Sequence, residues 1–371
     1  MSGPSEATDH ASTEPLRYNF EYERRLRAGF IGCGGHAFRN VYPALRYAPV
    51  DLVAVCDIDL ERAKTYAREF GAKHAYASHT AMLEQEQLDA VFVVTNYDEQ
   101  SRPRYPQLAC DVMQAGAHAW IEKPPAASVE EIQMMRRIER QTGKFVQVGF
   151  KKMFFPAIAK VKAITRQPEF GEVSSIYARY PQTLPAPELR HDRRMMLGFL
   201  DHLFHPASII HLIMGEVGAL NYTWEPRSKA SVTTLRFRNG GIGTLQLVGG
   251  QSGTSPLERL EVIGTGANVV VENGVKLTYY RPGRRGPGGY GRQPDFIGPD
   301  ESAPIIWEPE FSLGQLYNKG LFLLGYVPEV LAFCESVLSN TPPAKAGLGD
   351  ALALLRWYEA YSKPEGEWIT L

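Results

Sequence analysis

At 371 residues the chain is long for one hydrophobic core, and two domains are the first expectation. A hydrophobic share of 44% beside 22% charged residues is that of an ordinary globular protein, not of a disordered or fibrous one. The net charge of −1 gives no overall pull toward nucleic acid or an anionic membrane, and the sequence read alone offers no apolar run of membrane-span length.

Residues 1–24 are polar and without period, and read as a disordered tail. Arg24-Arg25 is followed by LRAGFIGCGG, which is too short and too glycine-rich for the core of an export signal. From Leu26 the pattern becomes periodic. RAGFIG reads as a buried strand, residues 34–47 as a helix, DLVAVCD as a strand, and LERAKTYAREF as a helix stopped by Gly71. AVFVVTN is a strand with almost no polar interruption, as expected where both faces of a sheet are covered. YPQLACDVMQA is a helix stopped by Gly116, HAWIEK a strand, 129–142 a helix stopped by Gly143, and FVQVGF a last strand. This alternation predicts a Rossmann-type, doubly wound parallel sheet over residues 25–149.

Beyond residue 150 the period changes. VSSIYARY, ALNYTWE, SVTTLRFR, IGTLQLV, RLEVIG, ANVVVE and VKLTYYR alternate polar and apolar residues, with hairpin signals at Asn239-Gly240 and Asn273-Gly274. Residues 150–371 are therefore expected to form an α+β domain with a large, mostly antiparallel open sheet. Its free face predicts a homodimer or homotetramer. A Gly/Pro/Arg loop covers 281–296, and two helices are expected near 320–339 and 347–362. The cysteines Cys33, Cys56, Cys110 and Cys334 are widely spaced, and three fall in elements expected to be buried. A reducing cytoplasm fits them better than a disulfide framework.

The first strand runs into Gly32-Cys33-Gly34-Gly35-His36-Ala37, which fits G-x-G-x-x-G/A between a strand and a helix. Gly32 is expected to make the tight turn, and Gly34 to let the backbone approach a pyrophosphate at a helix N-terminus. Asp57, about 25 residues on at the end of the second strand, is placed to bond the ribose hydroxyls. An acid there repels a 2′-phosphate and Ile58 offers it no cation, so NAD is expected in preference to NADP. A second unusual stretch is WIEKPPAAS, where a strand ends in Glu122-Lys123 and two prolines follow. A lysine there is ordinarily a solvated charge, but ligands of doubly wound sheets bind at the carboxyl ends of strands. Ser128 and Glu131 read as a capping box for the next helix. Asp201-His202-x-x-His205, with His211 beyond, has the residue types of a zinc site. Pro206 removes the N–H that would bond residue 202, so a helix is expected to begin only about there, with Asp201 and His205 at its mouth and no metal held.

These stretches together resemble the family of glucose–fructose oxidoreductases, inositol dehydrogenases and rhizopine-catabolism proteins (Gfo/Idh/MocA), along nearly the whole chain after the tail. RAGFIGCGGHAF resembles the family's first strand and glycine turn, AGAHAWIEKPPA its E-K-P segment, VGFKKMFFP the crossing into its second domain, and MLGFLDHLFHPASIIHLIMG its D-x-G-x-H stretch. Three departures stand out. Thr95-Asn96-Tyr97 and about five extra residues replace Thr-Pro-Asn-x-x-His, with Asn96 as stand-in and Tyr105 near the place of the histidine. Leu203 replaces a glycine, and Lys152-Met153 replaces an Arg pair.

The resemblance implies an NAD-dependent dehydrogenase acting on a secondary hydroxyl of a sugar, sugar derivative or cyclitol. It implies catalysis by Lys123, Asp201 and His205. Cofactor contacts are expected from Gly32, Gly34, Gly35, His36, Asp57, Asn96, Glu122 and Lys123, and substrate contacts from Lys123, Lys152, Asp201 and His205. Lys151, Arg179 and the run Arg190–Arg194 are read chiefly as solvated charges. The other readings are a glycosidase-like lyase or hydrolase that keeps its NAD and oxidises the sugar transiently, and a non-catalytic NAD-binding regulator.

Overall fold

The computed structural model describes residues 22–282, 303–308 and 319–371. Most of the expected tail and of the 281–296 loop therefore lies outside the described residues. Six strands, β1 (Leu26–Ile31), β2 (Val50–Cys56), β3 (His74–Tyr76), β4 (Ala90–Val93), β5 (His118–Ile121) and β6 (Val146–Val148), form an all-parallel sheet in the order β3-β2-β1-β4-β5-β6. That order reverses between β1 and β4, and the crevice at their carboxyl ends is where such sheets bind ligands. The strand β4 near the sheet's centre is wholly apolar and its four residues are fully buried, as expected where helices cover both faces.

The helices follow local signals. Helix α1 spans residues 35–45 and contains a π turn at Ala37–Val41. Helix α2 (Leu60–Phe70) is capped by Asp59, whose side chain accepts from Arg62 N, and ends at Gly71 with φ +78°. Helices α3 (His79–Gln85) and α4 (Tyr105–Gln114) follow. Before α5 (Val129–Thr142) the expected capping box does not form. The Ser128 side chain makes no capping bond, and Glu131 accepts from Ala127 N at 2.7 Å, one residue before the cap. Helix α6 (Pro156–Ile164), which has a weak periodic pattern, leads into the second sheet.

That sheet has nine strands in the order β14-β13-β12-β11-β7-β10-β9-β8-β15. They are β7 (Val173–Tyr180), β8 (Val217–Glu225), β9 (Ala230–Phe237), β10 (Ile242–Leu247), β11 (Arg259–Gly264), β12 (Asn268–Glu272), β13 (Lys276–Tyr280), β14 (Ile305–Trp307) and β15 (Ile369–Thr370). Every pair is antiparallel except β7 with β10. Asn273 and Gly274, both with positive φ, turn β12 into β13 through the three-residue connection 273–275, in which Val275 N donates to Glu272 O at 3.1 Å. One face packs inward, and the other leaves Val232, Ile242 and Ile263 exposed.

Helix α7 (Arg193–Met214) packs on β7 and overturns one expectation. It begins at Arg193, capped by Asp192, and runs through Pro206, so Asp201 and His205 lie mid-helix rather than at a helix mouth. An interior proline costs about 3 kcal/mol in isolation. Here burial of Leu200, Leu203, Phe204, Ala207 and Ile210 against the sheet offsets that cost. At 22 residues, α7 also reaches the length and hydropathy of a membrane span, with half of its apolar window buried inside the protein.

The helix expected at 320–339 is two, α8 (Lys319–Leu323) and α9 (Tyr326–Ser339), parted by Gly325. At φ +78° a Cβ there would lie 2.2 Å from the Lys151 carbonyl oxygen. Helix α9 packs on the parallel sheet, its Val330 and Phe333 joining the core of Ala28, Phe30 and Phe92. Helix α10 (Leu348–Ala360) lies against α5 and α7. All four cysteines are buried and free.

Candidate active site

A cleft of about 1030 Å³ opens at the carboxyl ends of β1, β2 and β4, and Gly32, Gly34, Gly35, His36, Asp57 and Asn96 all line it. Gly32 has φ +108°, and a Cβ on it would sit 1.9 Å from Val94 O, so glycine is required where the turn passes β4. Gly34 differs: a Cβ there would meet nothing within 4 Å. Its bare backbone faces the open cleft at the start of α1, the cradle that a pyrophosphate needs. The Asp57 carboxylate accepts from Cys33 N at 2.8 Å and from Asp59 N at 3.0 Å, which fixes it in the cleft wall after β2. Arg62, one turn into α2, lies 3.8 Å from it, a cation that the neighbouring Ile58 did not foretell. These residues fit NAD, the cofactor of this fold family.

Strand β5 ends beside this cleft. Glu122 is buried and its carboxylate accepts from His36 Nε2 at 2.9 Å and from Lys123 N at 2.7 Å. Burial alone would raise its pKa, but His36 and Lys123 outweigh it and hold the carboxyl below the usual carboxylate range. Two cofactor-side residues read separately from the sequence are thus one hydrogen-bonded pair joining α1 to the end of β5. The peptide bond from Lys123 to Pro124 is cis.

The Lys123 side chain crosses to α7, where Nζ donates to Asp201 Oδ1 at 2.9 Å. The Tyr97 hydroxyl donates to the same oxygen, also at 2.9 Å. Burial opposes ionisation of Asp201, but Lys123 and the Tyr97 hydrogen bond together depress its pKa. His205 lies one helical turn from Asp201, half-buried, its ring 6.1 Å from that of Tyr180 and 6.2 Å from that of His202. Burial, reinforced by the charges of Lys152, Lys123 and Lys151, pushes its pKa well below the ordinary histidine value, so the imidazole is neutral. A histidine working near neutrality, as free imidazole does, is not what this environment provides.

Lys152 is almost wholly buried and paired with Glu258, with Nζ 4.6 Å from the centre of the Tyr180 ring. Burial lowers its pKa and Glu258 works against that. Its charge is felt at His205, yet its hydrogen bond goes to Glu258. Lys151 donates to the Tyr326 hydroxyl at 2.8 Å. Arg190, expected to be solvated, is buried instead, donating to Tyr222 OH at 2.7 Å and stacking over Tyr222 and Trp224.

Tyr105, nearest the position of the family's histidine, is buried in the core, where its hydroxyl donates to Thr95 O at 2.9 Å. The tyrosine that enters the site is Tyr97. Its only signal in the sequence was its place at the start of the inserted segment. Among the described residues no three His, Cys, Asp or Glu side chains converge as metal ligands. His211 is turned away, to Asp350 at 2.9 Å.

Residues 26–150 match the model of an oxidoreductase family with an NAD-binding Rossmann fold. An uncharacterised oxidoreductase of Bacillus subtilis is 26% identical over 334 residues, covering 85% of this chain and 88% of its own. A myo-inositol 2-dehydrogenase of Thermotoga maritima is 23% identical over 352 residues, covering 90% and 95%. An oxidoreductase from Agrobacterium radiobacter, solved in complex with NAD+, L-tartaric acid and magnesium, shares the fold with a TM-score of 0.70. It is 18% identical, and the match covers 93% of this chain and 98% of that one.

Proposed function

We propose that this chain, whose residues 26–150 match an oxidoreductase family with an NAD-binding Rossmann fold and which resembles the Gfo/Idh/MocA family, oxidises, or in reverse forms, a secondary hydroxyl of a sugar, sugar derivative or cyclitol. The carrying observation is the Lys123–Asp201 contact of 2.9 Å, made between a strand-end lysine of the parallel sheet and the helix packed on the second sheet, beside the cleft that Asn96 and His36 line. NAD, when bound, would supply the hydride acceptor. Gly32, Gly34 and Gly35 would hold its pyrophosphate, Asp57 the ribose and Asn96 the nicotinamide side, with His36 and Glu122 beside the reacting end.

The remaining chemistry belongs to the protein. Lys123 turns its ammonium from Asp201 to the substrate oxygen and stabilises the negative charge that develops there. Asp201 stays ionised and accepts a neighbouring substrate hydroxyl. Neutral His205 is free to take the hydroxyl proton, and burial together with the three lysines around it favours its release to the solvent that reaches the half-buried ring, so its part is a relay rather than a store. Lys152 helps shape the pocket through Tyr180 and Glu258. Among the described residues no feature of the site favours cleavage of a glycoside with retained cofactor, and the two relatives named above, each matched along most of the chain, are oxidoreductases.

The test is NADH formation with a panel of inositols, hexoses, pentoses, glycosides and nucleotide sugars. At least one polyol should reduce NAD over many turnovers, whereas no reduction by any of them would remove the proposal. The open face of the nine-stranded sheet, with Ile242 59% exposed, supports a homo-oligomer, and a monomeric mass in solution would contradict it. The protein is proposed to work in the cytoplasm, in keeping with its buried free thiols.

A further inference from the structure

The segment between β4 and α4 departs from the family's pattern, and it folds on itself. Tyr97 and Pro103 form an antiparallel bridge, and Asp98 N donates to Arg102 O at 2.9 Å. Asp98 Oδ1 accepts from Gln100 N at 2.9 Å and from Arg102 N at 2.7 Å. Ser101 takes up a φ of 60° at the tip. The turn is therefore closed by its own backbone and Asp98, with no need of the Tyr97 hydroxyl. That hydroxyl is spent elsewhere, on a carboxylate 104 residues away.

We propose that Tyr97 is a positioning residue of the active site, which holds Asp201 ionised and fixed in orientation while Lys123 engages the substrate. It rests on the assignment of Lys123 and Asp201 to the reaction made above. Both donors converge on Oδ1, leaving Oδ2 with only His202 Nδ1 at 3.5 Å, and Oδ2 is the oxygen that can accept from a substrate hydroxyl. When Lys123 leaves for the substrate oxygen, Tyr97 remains the one neutral donor on Oδ1. Burial and the Asp201 charge both push the Tyr97 pKa up, so it stays protonated and serves as donor, never as base. The groups facing Asp201 are Lys123 after β5, Tyr97 from the inserted turn and His202 on its own helix, while Tyr105 and Tyr180 feel its charge.

Tyr97→Phe keeps the ring and the turn and removes the one bond. With the polyol that the panel turns over fastest, kcat/KM is expected to fall about ten- to a hundred-fold, mainly in kcat. Asp201 loses a stabilising donor, so the acid limb of the pH profile is expected to move to higher pH by about one pH unit. NAD affinity and Tm stay near wild type, which a merely structural role would not allow. A second readout needs no substrate: 13C NMR titration of protein labelled at the aspartate carboxyl carbon, with Asp201 identified by its absence in Asp201→Asn. Its midpoint should rise in Tyr97→Phe, and an unmoved midpoint together with an unmoved acid limb overturns the proposal. Lys123→Met, run in parallel, separates the two claims. If it is inactive while Tyr97→Phe is wild type, only the role of Tyr97 fails; if it retains full turnover, the assignment of the site fails and the proposal with it.

Discussion

Replacing Lys123 by methionine should abolish turnover while sparing the cofactor. The ammonium lies 2.9 Å from Asp201 Oδ1, with the two side chains 14% and 28% exposed. At that distance and an effective dielectric near 20, two unit charges attract by roughly 6 kcal/mol. A substrate oxygen taking the place of Oδ1 carries only part of a charge until the transition state, so part of that attraction is realised there and not in the ground state. Removing a single preorganised donor of this kind costs about 100- to 1000-fold in kcat. The cleft is lined by other residues and the ammonium is engaged by Asp201, so the Kd for NAD from calorimetry should change less than about three-fold. The substitution also strands Asp201 with Tyr97 as its remaining donor, raising its pKa, so the protein should lose some stability at neutral pH; Tm measured beside activity separates the two effects. NADH absorbance with the best polyol of the panel gives kcat. A folded variant that binds NAD and keeps kcat within a few-fold of wild type would refute the reasoning.

Asp57→Ala removes the carboxylate fixed by Cys33 N and Asp59 N. It should weaken NAD about ten- to a hundred-fold by calorimetry while NADP, now met by Arg62, weakens less; equal losses would contradict the ribose role. Glu329 is fully buried, both carboxyl oxygens lack a partner among the described residues, and burial pushes its pKa well above 4.5. The unfolded chain ionises this group first, so it destabilises the fold as pH rises through the ordinary carboxylate range. Glu329→Gln should therefore raise Tm at neutral pH, with the gain vanishing below about pH 4. His118 shows the opposite sign: burial, with Lys144 adding to it, lowers its pKa to about 4. The unfolded chain takes up the proton first as pH falls from 6.5, the ordinary value, so up to about 3 kcal/mol is lost by pH 4. His118→Gln should flatten that part of the urea-unfolding profile, and an unchanged slope would count against the assignment.

The parallel sheet and its ligand edge were legible because their signals are local. Gly32 needs a positive φ at one point, Gly34 an open Cβ direction, and the strand ending at Lys123 is set by its own apolar run. What stayed hidden depends on distant partners. Pro206 read locally as a helix start, because the rule about its missing N–H takes no account of α7 being packed on β7. Lys152 read as a substrate group, because nothing near it in sequence announces Glu258, 106 residues on. Tyr105 and Tyr97 carry the same side chain in one segment. Only the fold of the inserted turn decides that one fills the core and the other meets Asp201. The working pKa of His205 was equally out of reach, since it is set first by burial and then by three lysines from two other segments.

The most direct test of the central claim follows a label. A polyol that the protein turns over is deuterated at its carbinol carbon, and the cofactor released is weighed by mass spectrometry. If Lys123, Asp201 and His205 oxidise a secondary hydroxyl, deuterated NADH accumulates to many equivalents per protein together with the ketone. Substrate consumed with no more than one equivalent of reduced cofactor, or with the deuterium left in the sugar product, would contradict it.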